Sequence, residues 1–377
     1  MHDNRLICQK GGVRVLIAAG GSGGHIFPAI ALARTLKDRA ADIDIRFVGG
    51  NKALDKRIFE KEGFSFSVLS SNKLPDKASW GLVVFFVKLA FDIINALSIL
   101  LSHRPDVVVG FGGYVSFPII FSASVFGIPK ILHEQNVSAG RANKFLFRFA
   151  DKIAISFKET GPLLGPYARK IVFTGNPIRQ EMFRGDKALG ITRFGLDARK
   201  FTILVMGGSQ GAHFLNETFI RSLAGMVEAS RRTLQVIHIT GIKDYEWAMK
   251  EYDRLRPIEA RVYSFIDRIE EAYSASDLVV TRSGASAIFE LAFFAKAMIL
   301  VPYPFANAHQ AENAQIFFER GAAIKLDERS LSVGLFKDTL LSLLNDKDRL
   351  KRIGESARAL SIPDASSNLA YEVLKLT

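Results

Sequence analysis

One histidine follows a glycine-rich turn directly, a position where its imidazole can take a proton from a substrate held by that turn. The turn is Gly20-Gly21-Ser22-Gly23-Gly24; the apolar run Val13 to Ala19 precedes it and His25 comes next. Glycines let the backbone approach a ligand closely, and the start of the following helix favours phosphate. Because an imidazole titrates near neutrality, His25 is a candidate general base. Its structural alternative is capping of the helix or packing against the loop.

A second turn of the same composition occurs in the other half of the chain. The run Phe201 to Met206 leads into Gly207-Gly208-Ser209-Gln210-Gly211, so Gly-Gly-Ser-x-Gly recurs 187 residues after Gly20. Neither turn is a dinucleotide fingerprint, since the sixth position of the first is Ile26, and neither continues into the Lys-Ser/Thr of a P-loop. One such turn is weak evidence of function, whereas two in a duplicated plan favour a pair of phosphate-binding turns.

A third anion-binding candidate follows the apolar strand that ends at Val280. The segment Arg282-Ser283-Gly284-Ala285 lies between that strand and a helical pattern, and Ser283 is expected to cap the helix. Glu290 lies further along the helix, where its carboxylate is placed to accept hydrogen bonds from ribose hydroxyls. The alternative for Glu290 is an ordinary solvated helix residue.

The elements that position these residues alternate between short β-branched runs and helical patterns. Alternation of this kind predicts parallel sheets covered by helices on both faces. The predicted fold class is α/β, with two Rossmann-like domains and a cleft between them. We expect the domains to span residues 1–176 and 177–361, because Asn176-Pro177 is a turn signal. A helix is expected at 362–377, and composition leaves open whether it crosses back to the first domain. The further predicted strands are Ile43 to Val48, Val107 to Gly110, Lys130 to His133, Ile171 to Phe173, Val236 to Thr240, Leu278 to Thr281 and Met298 to Val301.

Composition narrows the class of function. The chain has 377 residues, a net charge of +12 and a single cysteine, Cys8, which excludes an intramolecular disulfide and a multi-cysteine metal site. Its opening residues carry no signal-peptide pattern, so we expect a cytoplasmic protein. A basic surface suits nucleic acid, anionic lipid or anionic substrates, but no nucleic-acid module is recognisable, which favours membrane and sugar-nucleotide phosphates.

One stretch of the first half is apolar enough to raise the question of a membrane span. Gly81 to Leu101 contains 14 Leu, Ile, Val and Phe residues, together with Lys88 and Asp92. Insertion would gain roughly 4 to 8 kcal/mol from the apolar residues and lose roughly 5 to 7 on the two charges, so energetics leaves the question open. A span would separate Val13 and Val107, which are expected in one sheet. A buried helix or an interfacial helix remains, with Lys88 and Asp92 as a surface pair.

Six motifs in order carry a resemblance to a known family. They are Gly20-Gly21-Ser22-Gly23-Gly24-His25, Gly112-Gly113-Tyr114-Val115-Ser116, His133-Glu134-Gln135-Asn136, Gly175-Asn176-Pro177-Ile178-Arg179, Gly207-Gly208-Ser209-Gln210-Gly211-Ala212 and Arg282-Ser283-Gly284-Ala285. The sequence closely resembles the bacterial MurG family of UDP-N-acetylglucosamine:lipid I N-acetylglucosaminyltransferases, from about Arg14 to Asp364. Each motif is generic alone, and six in register are specific.

The resemblance implies the GT-B glycosyltransferase fold and a set of binding residues. In similar proteins the C-terminal domain holds most of the UDP-N-acetylglucosamine, which assigns Ser209 to the diphosphate, Ile266 to the uracil and Glu290 to the ribose. Gln310 is expected to hold sugar hydroxyls, although the family usually has Gln where this chain has His309, and the role of His309 stays open. The remaining donor residues implied are Ser22, Gly23, Gly24, Asn136 and Arg179, and the acceptor-side residues are Gly112, Gly113 and Tyr114.

The reaction that the resemblance implies is an inverting displacement at an anomeric carbon. His25 is the favoured base and Glu134 the competing one. Backbone N–H groups and helix dipoles, rather than a metal, are expected to stabilise departing UDP. The strings Asp42-Ile43-Asp44 and Asp346-Lys347-Asp348 lie at a strand start and a helix connection, and we interpret neither as a metal site. We therefore expect no metal and no cofactor.

The implied partners are UDP-N-acetylglucosamine, lipid I (undecaprenyl-pyrophosphoryl-N-acetylmuramyl-peptide) and the anionic cytoplasmic face of the inner membrane, with no nucleic acid. Candidate docking residues are Phe85, Phe86, Leu89, Ile93, Phe145 and Phe147, near Lys73, Lys77, Lys88 and Arg148. Four other classes compete with this interpretation. An oxidoreductase requires a dinucleotide fingerprint, which is missing. UDP-sugar epimerases and other lipid glycosyltransferases share the two-domain plan, although an epimerase needs no lipid-facing surface. A membrane-bound binding protein would keep the fold and lack turnover.

Overall fold

The computed structural model describes residues 12–40, 42–70, 80–208, 211–227, 232–305 and 309–377, with only the backbone of Leu54 and Trp80. The chain divides into two compact units. The first comprises Met1–Arg179 and Ile362–Thr377, and the second comprises Gln180–Ser361. The division falls between Arg179 and Gln180, three residues after the Asn176-Pro177 boundary that the turn signal predicts, so Arg179 belongs to the first unit.

The first unit is built on a parallel sheet with strand order β3-β2-β1-β4-β5-β6-β7 among the described residues. Its strands are β1 (Arg14–Ala18), β2 (Asp44–Gly50), β3 (Ser65–Leu69), β4 (Val107–Gly110), β5 (Lys130–Glu134), β6 (Lys152–Ile155) and β7 (Ile171–Phe173). Its helices are α1 (Gly23–Arg39), α2 (Ala53–Glu62), α3 (Trp80–His103), α4 (Gly113–Val125), α5 (Arg141–Leu146), α6 (Thr160–Leu163) and, from the end of the chain, α15 (Ala365–Leu374).

Helices cover both faces of this sheet, which is why its central strands are continuous apolar runs. On one face α1, α2 and α15 contribute Leu36, Phe59 and Leu369 to a buried cluster with Ile17. On the other face α3, α4 and α5 contribute Leu100, Ile119 and Leu146 to a second cluster. The segment after Ile362 therefore packs on α1 of the first unit. Its Asn368 side chain also donates to the Thr174 carbonyl oxygen at 3.3 Å.

The second unit repeats the plan with strand order β10-β9-β8-β11-β12-β13 in its described part. Its strands are β8 (Phe201–Met206), β9 (Leu234–Ile239), β10 (Glu259–Tyr263), β11 (Leu278–Thr281), β12 (Ala297–Leu300) and β13 (Ile324–Lys325). Its helices are α7 (Lys187–Phe194), α8 (His213–Ala224), α9 (Tyr245–Arg254), α10 (Ile269–Ala275), α11 (Ala285–Phe293), α12 (His309–Glu319), α13 (Val333–Leu344) and α14 (Lys347–Leu360).

Strand order reverses in both units next to the strand that precedes a glycine turn. β1 pairs in parallel with β2 on one side and β4 on the other, and β8 pairs likewise with β9 and β11. Ligands of open parallel sheets bind outside the carboxyl ends of the strands at such a reversal. The loops after β1 and β4, and those after β8 and β11, therefore occupy the ligand-binding position of each unit.

Helix α3 has the length and composition of a membrane span, but the sheet contradicts that interpretation. The helix lies between β1 and β4 in sequence, and those two strands are hydrogen-bonded neighbours. The strands therefore lie on the same side of any membrane, as the sequence argument predicts. The expected surface position of Asp92 is wrong, because this carboxylate is buried and accepts from the Ser70 N–H at 2.9 Å and the Ser70 hydroxyl at 2.7 Å.

Candidate functional site

The first glycine turn fixes the orientation of the His25 imidazole. α1 begins at Gly23 with Ser22 at its N-cap, and the Ser22 side chain is exposed and makes no capping bond to the helix. The Nδ1 atom of His25 lies 3.2 Å from the Gly20 carbonyl oxygen. A carbonyl oxygen can only accept a hydrogen bond, so in the neutral ring Nδ1 carries the proton and Nε2 carries the lone pair. That tautomer is the one a general base needs at Nε2.

A buried aspartate stabilises the same turn by accepting a hydrogen bond from its backbone. Asp55 accepts from the Gly21 N–H at 2.9 Å and from the Gly50 N–H at 3.0 Å, so one carboxylate oxygen joins the ends of β1 and β2. Gly21 has φ +86°, which a side chain would strain. Lys52 closes the turn by donating to the Gly21 carbonyl oxygen at 2.8 Å. No sequence motif identifies Asp55, because α2 brings it next to Gly21 only in the folded protein, 34 residues further along the chain.

The acceptor-side candidates Gly112 and Gly113 form a turn after β4, and this turn contacts the first glycine turn. Gly112 and Gly113 have φ +88° and +75°. A Cβ atom on Gly113 would stand 3.1 Å from the Gly20 carbonyl oxygen and 3.3 Å from His25 Nδ1. The absence of a side chain at Gly113 therefore leaves room for the hydrogen bond that orients His25. Tyr114, the next residue, is exposed.

Glu134 lies at the end of β5 and is 1% exposed. Its carboxylate accepts from the Asn136 N–H at 2.9 Å, the Asn136 side-chain amide at 3.1 Å, the Gly140 N–H at 3.1 Å and the Asn143 side-chain amide at 2.8 Å. Four donors satisfy much of the capacity of a carboxylate. These bonds shape the loop that carries Asn136, whose carbonyl oxygen in turn accepts from the Thr160 hydroxyl at 3.2 Å.

His133 precedes Glu134 and is a buried, neutral histidine. Its Nε2 donates to the Gly175 carbonyl oxygen at 3.1 Å, and the Gln135 side-chain amide donates to its Nδ1 at 3.1 Å. Burial lowers the pKa of His133 to about 4, against a smaller raising effect of the Gly175 carbonyl oxygen. The histidine thus ties the end of β5 to the Gly175-Asn176-Pro177 turn, which leads to Arg179.

Arg179 lies beside the first glycine turn in the folded protein. Its guanidinium lies 4.3 Å from the centre of the Phe27 ring, in the first turns of α1 two residues after His25. A guanidinium on an aromatic face is held by cation–π attraction while its N–H groups can still serve a ligand. The structure therefore brings Ser22, Gly23, Gly24, His25, Gly113 and Arg179 together in the first unit.

The second glycine turn depends on glycine as strictly as the first. Gly208 and Gly211 have φ +88° and +77°, and a Cβ atom on Gly211 would stand 2.4 Å from the Thr240 carbonyl oxygen. Ser209, the expected diphosphate contact, lies outside the described residues, as do Lys73 and Lys77. The described flanks place the turn directly after β8 and before α8.

The remaining donor candidates follow the carboxyl ends of three strands of the second unit. Ile266 follows β10, Glu290 is in the helix after β11, and Gln310 is in the first turn of the helix after β12. Glu290 is 4% exposed and accepts from the Tyr273 hydroxyl at 3.2 Å, so the interpretation as a solvated residue is wrong. Burial of a carboxylate costs free energy unless polar groups contact it. The buried position of Glu290 therefore indicates a structural or binding role.

The Ser283 loop differs from expectation in one respect. The N-cap of α11 is Gly284 rather than Ser283, and no side chain caps this helix. The Ser283 hydroxyl donates instead to the Gln310 carbonyl oxygen at 2.7 Å, while the Gln310 side-chain oxygen accepts from the Tyr303 N–H at 2.9 Å. The loops after β11 and β12 are thereby joined, and Ser283 positions Gln310.

Helix α3 presents a long apolar face. Seven large apolar residues are exposed along it: Val83, Val84, Phe86, Val87, Phe91, Ile94 and Leu101. Of the predicted docking residues, Phe86 and Phe145 are exposed, whereas Phe85, Leu89 and Ile93 are half-buried on the side that faces the sheet. The expectation for Phe147 is wrong, because this ring is 1% exposed and packs in the core beneath α5. Arg148 instead covers the Phe145 ring at 4.2 Å.

Potential metal ligands are not clustered in the part of the chain that the structure describes, where no group of three His, Cys, Asp or Glu residues is arranged to hold an ion. The two Asp-x-Asp strings have other surroundings. Asp346 accepts from the Arg349 N–H at 2.8 Å and caps α14. Asp44 lies 3.5 Å from the buried His103 ring at the start of β2.

Two family models and many relatives match the chain. The glycosyltransferase family 28 N-terminal domain matches residues 15–155, and the family 28 C-terminal domain matches residues 202–369. A UDP-N-acetylglucosamine–N-acetylmuramyl-(pentapeptide) pyrophosphoryl-undecaprenol N-acetylglucosamine transferase from Halothermothrix orenii is 35% identical over 95% of this chain and 97% of its own. The transferase of the same name from Thermodesulfovibrio yellowstonii is 36% identical with the same coverage.

Solved structures agree with these relatives. The crystal structure of Acinetobacter baumannii MurG superposes with a TM-score of 0.75 at 25% identity, covering 97% of this chain and all of that one. A UDP-N-acetylglucosamine 2-epimerase reaches a TM-score of 0.69 at 14% identity, over 97% of this chain and 96% of that one. At that identity the epimerase shows a shared fold and nothing about activity.

Proposed function

The chain belongs to the MurG family of family 28 glycosyltransferases, and on that premise we propose that it transfers N-acetylglucosamine from UDP-N-acetylglucosamine to undecaprenyl-pyrophosphoryl-N-acetylmuramyl-peptide. The product is lipid II, the disaccharide precursor of peptidoglycan. Identities of 35% and 36% over 95% of the chain to transferases of this name support the assignment. The observation that carries the mechanism is the hydrogen bond from His25 Nδ1 to the Gly20 carbonyl oxygen.

In this mechanism the muramyl 4-hydroxyl attacks the anomeric carbon of the donor sugar from the face opposite UDP. His25 Nε2 accepts the hydroxyl proton as the new C–O bond forms, and the bond from the anomeric carbon to the UDP oxygen breaks with inversion. The electron pair of that bond leaves with UDP. A positioned general base of this kind contributes about 10²- to 10⁴-fold to the rate.

Glu134 has a different proposed role. Its carboxylate already accepts four hydrogen bonds from Asn136, Gly140 and Asn143, so removing a substrate proton would require breaking that network. We assign Glu134 to shaping the loop that presents Asn136 to the donor. Arg179 is held over the Phe27 ring and supplies positive charge beside the first glycine turn.

The donor is assigned to the carboxyl edge of the second sheet. The glycine turn with Ser209 takes the diphosphate, Ile266 the uracil, Glu290 the ribose and Gln310 the sugar hydroxyls. The hydrogen bond that Tyr273 donates holds the buried Glu290 carboxylate in place, which supports its assignment to the ribose. Developing charge on UDP is stabilised by backbone N–H groups at the glycine turns.

The lipid acceptor brings the enzyme to the membrane, and α3 is the proposed docking element. Its exposed apolar residues extend from Val83 to Leu101, which at 1.5 Å per residue is roughly 27 Å of helix. Monomeric proteins rarely expose apolar surface of this extent without a partner. The net charge of +12 adds attraction to anionic lipid, so we propose a peripheral enzyme on the cytoplasmic face of the inner membrane.

A transfer assay tests the function. Purified protein is incubated with labelled UDP-N-acetylglucosamine and the lipid-linked muramyl-peptide, with EDTA present, and both lipid-bound label and UDP are measured. Label on the lipid only when the acceptor is supplied is the expected result. Isomerisation of the sugar without acceptor would establish an epimerase, and donor binding without transfer would establish a binding protein.

The base is tested by comparing His25→Gln with Glu134→Gln. His25→Gln should lower kcat by about 10²- to 10⁴-fold with little change in donor affinity. Glu134→Gln keeps an oxygen for some of the four donors and should chiefly weaken donor binding through Asn136. A larger kcat loss in Glu134→Gln than in His25→Gln would transfer the role of base to Glu134.

A further inference from the structure

A cavity of about 640 Å³ lies in the second unit at the edge of the sheet away from the glycine turn. Its lining includes Phe201, Asp277 and Ala297, which start or immediately precede β8, β11 and β12. The cavity is therefore at the amino ends of the strands. Because the donor residues follow the carboxyl ends, this cavity is not part of the proposed donor site.

The lining of the cavity is strongly cationic. Six of its residues carry a positive charge: Lys187, Arg199, Lys200, Lys296, Lys347 and Lys351. The lining contains one carboxylate, Asp277, whose oxygens accept from the Lys187 ammonium at 3.1 Å and the Thr202 N–H at 2.9 Å. From outside the lining, Asp197 pairs with Arg199 at 2.8 Å and Glu259 with Lys200 at 2.7 Å. Positive charge remains in excess, centred on Lys296, Lys347 and Lys351.

Lys296 is placed where its charge is poorly solvated. Its ammonium donates to the carbonyl oxygens of Ser274 at 3.1 Å and Ser276 at 2.7 Å, without a carboxylate in direct contact among the described residues. Burial lowers the pKa of Lys296 to about 8, although the nearby Asp277 charge opposes this effect. An anion in the cavity would add to the partial counter-charge that Asp277 supplies.

Lys347 and Lys351 extend the cationic lining along α14. Lys347 is the first residue of this helix, where the positive end of the macrodipole disfavours a cation, and Lys351 follows it four residues later on the same face. Within the described residues Lys347 has no ion pair, and Lys351 has only an exposed one with Glu355 at 3.9 Å. In this part of the chain a buried carboxylate neutralises neither lysine, so an anion in the cavity would find both charges available.

We infer that this cavity binds a soluble phosphorylated small molecule with at least two negative charges. The volume lies within the range of about 300 to 1,000 Å³ that small-molecule sites occupy. Leu344, Leu350 and Phe201 line the cavity beside the cations, so it also accommodates an apolar or aromatic portion of the ligand. The inference goes beyond the transferase activity and does not depend on it, because the cavity is tested by binding alone.

Inorganic tripolyphosphate is the probe, titrated calorimetrically into the full chain with and without saturating UDP. The wild-type protein should bind one equivalent that UDP does not displace, with affinity that falls as salt is raised. The double variant K347Q/K351Q should weaken this binding at least tenfold. It removes two cations from the start of α14, so it should fold at least as stably as the wild type, which circular dichroism checks.

The matched control is K243Q/K250Q, which removes the same charge from two exposed lysines of the second unit outside the cavity. Its tripolyphosphate affinity should stay within twofold of the wild type. Equal weakening in both double variants, displacement by UDP, or no saturable binding would overturn the site. Binding of phosphatidylglycerol vesicles through Lys347 and Lys351, without tripolyphosphate binding, would overturn the soluble ligand in favour of a lipid headgroup.

Discussion

At the residue scale, one hydrogen bond decides what His25 can do. A free histidine populates two neutral tautomers, and the Gly20 carbonyl oxygen at 3.2 Å selects the one with a lone pair on Nε2. The sequence predicts a histidine beside a glycine turn, but it does not reveal which carbonyl oxygen faces the ring. Nor does it reveal Asp55, which holds the turn from an element 34 residues downstream of Gly21.

Replacing Gly113 with alanine tests this orientation while His25 itself is retained. The new Cβ atom would lie 3.3 Å from His25 Nδ1, so we expect the ring to shift and kcat to fall about ten- to a hundredfold, with KM for the donor little changed. Steady-state kinetics with both substrates measures the split. Gly127→Ala is the control, since Gly127 also has positive φ, +65°, but nothing lies within 4 Å of its Cβ position.

Both variants should lose about 1 to 2 kcal/mol of stability from backbone strain. Equal kcat losses in Gly113→Ala and Gly127→Ala would show that strain, rather than displacement of His25, causes the effect. A kcat for Gly113→Ala equal to that of the wild type would remove Gly113 from the positioning of the base.

A second residue-scale prediction concerns His238, a buried histidine of β9. It contacts the Tyr252 hydroxyl at 2.8 Å and the Asn216 side-chain oxygen at 3.1 Å, and burial lowers its pKa to about 3. The folded pKa lies below the ordinary value of 6.5, so the unfolded chain binds the proton first as pH falls. Stability from this group is complete above pH 6.5 and declines from there toward pH 3.

Between pH 6.5 and 5 the expected loss from His238 is about 2 kcal/mol. Hydrogen exchange of β9 peptides across this range measures it in the second unit. His238→Gln, which does not titrate, should be less stable at pH 7 and should lose this part of the pH dependence. An unchanged slope in the variant would assign the acid sensitivity to other groups.

At the element scale, the sequence predicts most central strands and the short edge strand β7, but it misses the internal strand β6 and three of the four edge strands in the described part of the chain. The strands Val107–Gly110, Phe201–Met206 and Leu278–Thr281 agree with their apolar runs, because both faces of these central strands are covered. The edge strands β3 and β10 are missing from the prediction. Ser65–Leu69 and Glu259–Tyr263 mix polar and apolar residues, since one side of each lacks a neighbouring strand.

Helix α3 shows a different limit of pattern reading. Its sequence is apolar all round, so periodicity does not reveal which side packs on the sheet. The structure assigns Leu89, Ile93 and Leu100 to the protein side, where the buried Asp92 is bonded to Ser70. The exposed side then carries only apolar and uncharged residues from Val83 to Val87 and again from Ala90 to Leu101.

Charges on the exposed side of α3 should release the protein from membranes. Val87→Glu with Phe91→Glu places two carboxylates on a face where both residues are more than half exposed, at 51% and 63%. Because anionic lipid repels carboxylates and the apolar contact is lost, we expect at least tenfold weaker co-sedimentation with phosphatidylglycerol vesicles.

The control for this experiment is Leu189→Glu with Val227→Glu in the second unit, where the two side chains are 61% and 69% exposed. It adds the same charge to comparable surface residues and should retain vesicle binding. If both double variants lose binding equally, net charge rather than α3 governs attachment. If neither loses it, another surface docks the protein.

At the scale of the whole molecule, the chain returns to its first unit after completing the second. The duplicated glycine turns predict two similar domains, and the sequence also allows a returning helix, but composition does not show where that helix packs. The structure shows that α15 buries Leu369, Ala370 and Val373 in the core beneath α1, and an ion pair joins Lys152 to Glu372. The first unit is therefore discontinuous in sequence and depends on the last residues of the chain.

Leu369→Ala should destabilise the first unit alone. The Leu369 side chain is fully buried between α15 and the sheet, so its truncation should cost about 2 to 5 kcal/mol. The substitution lies far along the chain from β1 and β2, yet hydrogen exchange should accelerate in those strands and stay unchanged in β8 and β9. Leu340→Ala provides the converse case, because Leu340 is equally buried in the core of the second unit. Faster exchange in β8 and β9 of Leu369→Ala would mean that the two units unfold together, whereas separate responses would establish that each unit has its own cooperative core.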